Sequence, residues 1–177
     1  MNKNKIVTLN SFKKIDKITD QFSKDAIFHG ANSFAVMIYK HNNLLYYKST
    51  NQKWQDFYYT SKEKDNCHIV HAGLEIFARK KTNYSLVWDA LHPTHDDAQY
   101  LNEKRLSFDH CHGVSMCEAF PNGLIFTIVL TSSNKNEKFS SLVLKDKGKL
   151  IDYMRRLNYI EEYSLLKESS TSENLFK

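Results

Sequence analysis

The most constraining stretch of the 177-residue chain runs from Gly113 to Thr131. Two runs rich in β-favouring residues, Gly113 to Ala119 and Leu124 to Thr131, are separated only by Phe120-Pro121-Asn122-Gly123. An Asn-Gly pair between two such runs is a strong hairpin signal, because both residues tolerate the positive φ that tight turns demand. A second pair, Ser33 to Tyr39 and Leu44 to Lys48, flanks the turn residues His41-Asn42-Asn43. Parallel neighbours need a crossover of a dozen or more residues, so both pairs are expected to be antiparallel.

Helical periodicity fills the spaces between them. Phe12, Ile15, Ile18, Phe22 and Ala26 recur at three- to four-residue spacing from Ser11 to about Phe28, with Gly30 as the stop. Ile69, Ala72, Ile76 and Phe77 share one face of a helix over about Asn66 to Lys80, with Asp65 placed as its N-cap. Thr94 and Asp97 have capping-box spacing after Pro93, and that helix should reach about Leu106. Leu150, Ile151, Met154, Leu157 and Ile160 mark a long amphipathic helix near the end. With a short strand near Tyr84 to Trp88, these elements predict an α+β fold: an α/β/α sandwich with a central antiparallel sheet of about five strands flanked by helices. No glycine-rich phosphate loop follows a strand, which argues against a Rossmann fold. One domain over residues 1–167 is expected, with 168–177 as a polar tail.

Eleven phenylalanines, ten tyrosines and two tryptophans are an unusual aromatic load, to be packed against one another or against a flat or oily ligand. Cys67, Cys111 and Cys117 are odd in number and lack CxxC spacing, which fits free thiols in a reducing, cytoplasmic setting. The basic start, Met1 to Lys5, leads into no apolar segment, so neither export nor membrane attachment is expected. The net charge of +5 is scattered and accompanies no helix-turn-helix, zinc-finger or RNA-binding signature.

Among catalytic chemistries, metal binding has the most material: His92, His95, Asp96, Asp97, Asp109, His110, Cys111 and His112 crowd two short stretches. Their spacing matches no standard ligand motif. Cys111 or Cys117 beside a histidine could act as a nucleophile, but adjacency alone does not activate a thiol. No G-x-S-x-G elbow, Walker loop or cofactor motif is present, so no cofactor is expected and an enzyme is the minority reading.

Three patches together resemble the autoinducer-binding domain of LuxR-type quorum-sensing regulators: Trp54-Gln-Asp-Phe-Tyr58 followed by Asp65, then Ser85-Leu-Val-Trp88-Asp89, then the Gly113 to Val129 hairpin with its Asn122-Gly123 turn. The resemblance covers nearly the whole chain. It implies a PAS/GAF-like curved sheet enclosing an apolar pocket for an N-acyl homoserine lactone. It further implies that Trp54 donates its indole N–H to the lactone carbonyl, that Asp65 accepts from the ligand amide, and that Tyr58 and Trp88 wall the pocket. A homodimer, or a heterodimer with a related regulator, follows from the same resemblance. DNA would be reached only through a helix-turn-helix domain that this chain lacks, since it ends about where that domain would begin.

The chain departs from the family pattern at Thr50, where a tyrosine usually binds the acyl carbonyl, and at Val129, where a hydroxyl residue often helps bind ligand. Asn51 and Asn66 stand in place of prolines, and the Asp65 to Trp88 interval is several residues longer than the family norm. From the residues alone, Asp65 serves equally as a helix cap, and Trp54, Tyr58 and Trp88 equally as core aromatics. Gly113 reads as a backbone requirement at a strand start. Two alternatives accompany the sensor: a ligand-independent module that pairs with and inhibits a full-length regulator, and a metal-dependent enzyme.

Overall fold

The computed structural model describes residues 9–26, 29–40, 43–80 and 83–159. The basic N-terminus, the His41-Asn42 part of the first turn and the 168–177 tail lie outside the described residues. Helix α1 (Leu9–Ala26) leads into strands β1 (Ser33–Lys40) and β2 (Asn43–Ser49). Helices α2 (Gln52–Thr60) and α3 (His68–Lys80) follow, with a 3-10 turn over Lys62–Asn66 between them. Next come strand β3 (Tyr84–Val87), helix α4 (Asp96–Ser107), strands β4 (His112–Ala119) and β5 (Leu124–Ser132), helix α5 (Phe139–Lys145) and a last helix, α6, over 147–159. The fold is α+β. Its five-stranded sheet is antiparallel throughout, in the order β2-β1-β5-β4-β3.

Both hairpins form where the turn chemistry places them. Phe120 and Gly123 close the β4–β5 loop through a Gly123 N–H to Phe120 carbonyl bond of 3.0 Å, and Gly123 takes φ +80. Pro121 and Asn122 therefore occupy the centre of a turn that ends in a left-handed glycine, and the Asn122 side chain accepts from the Leu124 N–H.

Alternation along the strands divides the molecule. Phe34, Val36 and Ile38 of β1, Val114 and Met116 of β4, and Leu124, Phe126, Ile128 and Leu130 of β5 face one way and are buried. Helices α1, α5 and α6 cover them through Ile15, Phe139, Val143, Met154 and Leu157. The aromatic load concentrates here in part: Phe22 stacks on Tyr153 with ring centroids 4.1 Å apart, and the Tyr153 hydroxyl bonds Thr19. The residues between them, Ala35, Met37, Ser115, Cys117, Thr127 and Val129, face the opposite layer of α2, α3 and α4, where a second, smaller core of Cys67, Ile69, Leu86, Trp88 and Leu101 lies.

Four local expectations are corrected. Helix α3 starts at His68, and its first turn closes on the Cys67 carbonyl, so Asp65 sits in the preceding 3-10 turn and does not cap α3. Thr94 and Asp97 form no capping box: His95 precedes α4 without a side-chain cap, Thr94 bonds the His95 ring, and Asp97 accepts from Asn66. Helices α2 and α5 add to the elements that periodicity predicts. Gly113 does not have positive φ; a Cβ there would collide with the Trp88 ring, so close packing, rather than backbone conformation, requires glycine.

Candidate functional site

Between the sheet and the α2–α4 layer lies a cavity of about 640 Å³. Small-molecule sites commonly enclose roughly 300–1,000 Å³ and are walled mainly by apolar side chains, as this one is. Its floor is the odd-numbered face of β1, β4 and β5, and its roof carries Trp54, Gln55 and Tyr58 from α2 and Ile69, Gly73 and Phe77 from α3.

Of the residues singled out from sequence, Trp54, Tyr58, Trp88 and Val129 come together on the cavity wall. Asp65 and Thr50 are not among the residues lining it. Asp65 is exposed, and its backbone carbonyl meets the His71 ring at 2.6 Å. Thr50 closes the sheet edge, its hydroxyl accepting from the Phe34 N–H at 2.9 Å. Trp88 spends its indole N–H on Ser115 Oγ at 2.8 Å, and the Arg105 guanidinium lies 5.5 Å from its ring centroid. The Trp54 backbone N–H is capped by Asn51, while no hydrogen bond occupies its indole N–H among the described residues. Burial pushes the Tyr58 hydroxyl well above its ordinary pKa, with Cys67 adding to the shift, so it stays a neutral phenol.

One corner of the cavity is polar and tightly ordered. The Asn51 side-chain oxygen accepts from the Trp54 N–H at 3.0 Å, which turns its NH₂ toward His110 Nε2 at 2.8 Å. His110 Nε2 must then accept, so Nδ1 carries the proton and donates to Thr131 Oγ1, whose hydroxyl passes on to Asn32 Oδ1 at 3.1 Å. Burial, reinforced by the nearby Arg105 charge, pulls His110 down to about 4, in keeping with a neutral ring at pH 7. Arg105 itself is 8% exposed and donates to the His110 and Cys111 carbonyls and to Asn102. It is the one residue of fixed charge among the described residues lining the cavity.

Two further polar groups on the wall are unpaired. Gln55 is 7% exposed, yet its Oε1 has no hydrogen-bond partner among the described residues, and the same holds for His68 Nδ1. His68, in the first turn of α3, lines the cavity, and burial lowers its pKa. Among the described residues no group of three or more His, Cys, Asp or Glu is placed to hold a metal. Two of the crowded residues are held by other partners: His112 pairs with Asp89 at 3.0 Å, and Asp109 accepts from Asn32. The three cysteines are free thiols.

No family model and no curated protein sequence matches the chain. Solved structures do. CepR2 from Burkholderia cenocepacia, described as an N-acylhomoserine lactone dependent LuxR family transcription factor, superposes with a TM-score of 0.52 at 11% identity over 92% of this chain and 99% of its own. The chain shares the fold of a LuxR-family regulator. Escherichia coli SdiA superposes with a TM-score of 0.57 at 14% identity over 86% of this chain, and a structure of SdiA in complex with octanoyl-rac-glycerol superposes at 0.55 with 15% identity over 87%. The chain spans 60% of the length of SdiA. No helix among the described residues is long and apolar enough to cross a membrane.

Gln55, His68, Arg105 and His110 join the site without being ligand contacts that the sequence points to. Arg105 carries a legible signal all the same: with Ala98 and Leu101 it forms an i, i+3, i+7 stripe, the buried side of α4. Gln55 has one too, since Asn51, Trp54, Gln55 and Tyr58 fall on one helical face once α2 is recognised.

Proposed function

We propose that the chain is a ligand-binding sensor domain of the quorum-sensing type, taking an acyl amphiphile into the cavity between sheet and α2–α4 and coupling its binding to folding and dimerisation. The observation that carries the reading is the cavity itself: about 640 Å³, apolar, with a few convergent polar groups at one corner, in a fold shared with a lactone-dependent regulator. N-acyl homoserine lactones and acylglycerols are both candidate ligands, since CepR2 depends on the former and SdiA has been captured with an example of the latter. The role is binding rather than catalysis. Trp54 is its central residue: an indole N–H without a partner among the described residues, at the polar corner, where an acyl carbonyl could accept from it.

Coupling to folding follows from mass action. A ligand selective for the folded state stabilises it by about 2.7 kcal/mol at a hundredfold excess over Kd. For a domain of this size that corresponds to a Tm rise of roughly 5–10 °C. The test is a thermal-shift titration against lactones and acylglycerols of graded chain length. A saturable rise that Trp54→Phe weakens about tenfold without lowering the Tm of the empty protein supports the reading; no rise with any amphiphile overturns it.

A further inference from the structure

The cavity is electrostatically one-sided. Its described lining contains a guanidinium, imidazoles, amides, hydroxyls and two indoles, but no aspartate, glutamate or lysine. Asp65, the carboxylate expected to read a ligand amide, is exposed and off the wall. Arg105 is therefore a buried cation without a carboxylate partner, since none of the ion pairs formed by the described residues includes it. Asp89, whose field reaches it, is already engaged by His112 and by Ser140.

Donor counting points the same way. Of the five guanidinium N–H groups, one each faces the His110 and Cys111 carbonyls and two face Asn102 Oδ1, which leaves one on Nη2. The Trp54 indole N–H has no partner among the described residues. Arg105 and Trp54 both line the cavity and share His110 as a neighbour, Arg105 bonding its backbone carbonyl and the Trp54 ring lying 5.7 Å from its ring. A buried charge with no counter-charge is costly, and it is relieved by an anion that brings acceptors and no donors. A carboxylate is such a group, with four lone-pair sites on two oxygens.

Resting on the acyl-amphiphile reading above, we infer that the head group this cavity selects is a carboxylate, so that its ligand is a free fatty acid seated with its head at Arg105 and Trp54 and its tail along the sheet floor. The tail lies on Met37, Thr127 and Val129, opposite Ile69 and Phe77. An ester of the same acid keeps the tail and the carbonyl and loses the charge, which isolates the guanidinium's contribution.

The experiment compares decanoic acid, methyl decanoate, 1-decanoylglycerol and N-decanoyl homoserine lactone by calorimetric titration of the full chain at pH 7.5. The acid is expected to bind about tenfold or more tighter than each neutral analogue, as a charge-assisted contact implies. Neutral analogues that bind as well as the acid, or better, overturn this inference and leave the acyl-amphiphile reading standing; silence from all four probes overturns both. Arg105→Gln, confirmed as folded by circular dichroism, should erase the preference for the acid, and a preference that survives in the folded variant excludes Arg105 as its source. Should that variant not fold, the comparison of acid with methyl ester on the unaltered chain decides.

Discussion

Asn51 and His110, 59 residues apart in the chain, meet at 2.8 Å, and that contact fixes both the cap of α2 and the tautomer of a buried ring. Asn51 holds the first turn of the helix that presents Trp54, while His110 relays the same bond into Thr131 and Asn32 at the ends of β5 and β1. The cavity's polar corner is thereby tied to the sheet without any ligand.

Acid should loosen this tie. The folded protein holds His110 at about 4, below the 6.5 of an unperturbed histidine, so the unfolded chain takes up the proton first. Stability from this group is complete above about pH 6.5, is lost progressively as the pH falls to about 4, and amounts to about 3 kcal/mol over that window. Urea melts at pH 7.5 and pH 5 should show the loss, and His110→Gln should flatten the slope.

Trp88 occupies the space a Cβ on Gly113 would need. Gly113→Ala is expected to cost about 2–3 kcal/mol through overpacking, and to shift Trp88 fluorescence as the ring is displaced. In a Trp88→Leu background the same alanine should cost much less, a coupling that a double-mutant cycle measures.

Gln55 keeps a buried amide without a partner among the described residues, a feature that burdens the empty protein. Replacement by leucine, close in volume and free of polar atoms, should raise the Tm of the unliganded chain by an amount equivalent to about 1–2 kcal/mol. The same variant should respond less to any ligand whose head group uses that amide. A fall in Tm would show that Gln55 has a structural partner.

Asp65 separates the expectation drawn from family resemblance from the observed geometry. As an exposed residue off the cavity wall, Asp65→Ala should leave ligand affinity within about twofold and stability within about 0.5 kcal/mol. A tenfold loss of affinity in the folded variant would mean that its carboxylate reaches the ligand after all.

Much of the fold is legible in the sequence because its signals are local. The Asn122-Gly123 turn and the alternation on either side of it specify a hairpin before any tertiary contact exists, and the spacing of Ile69, Ala72 and Ile76 does the same for α3. Helix α2 is hidden by its composition, since Trp54, Phe57, Tyr58 and Tyr59 read as aromatic packing and no apolar stripe of ordinary kind separates them from solvent. The site is legible in its walls and not in its polar corner. Trp54, Tyr58 and Trp88 announce themselves by type, whereas the situation of Arg105 depends on which carboxylates are absent around it, and that is settled only when α4, β4 and α2 close together. Asp65 misleads for a related reason: it suits a cap only if α3 starts at Asn66, and a 3-10 turn moves the start to His68.

The alternation of β1, β4 and β5 writes two instructions on the same strands. Even-numbered positions such as Val36, Met116 and Ile128 hold the protein together, and their odd-numbered neighbours Met37, Cys117 and Val129 meet whatever enters. Changes to the second set leave the first untouched, so the lining of the cavity can be altered by single substitutions while the packed face that stabilises the fold is kept. A pocket floor interleaved with the core in this way makes the shape and polarity of the cavity one of the most readily evolvable properties of the molecule.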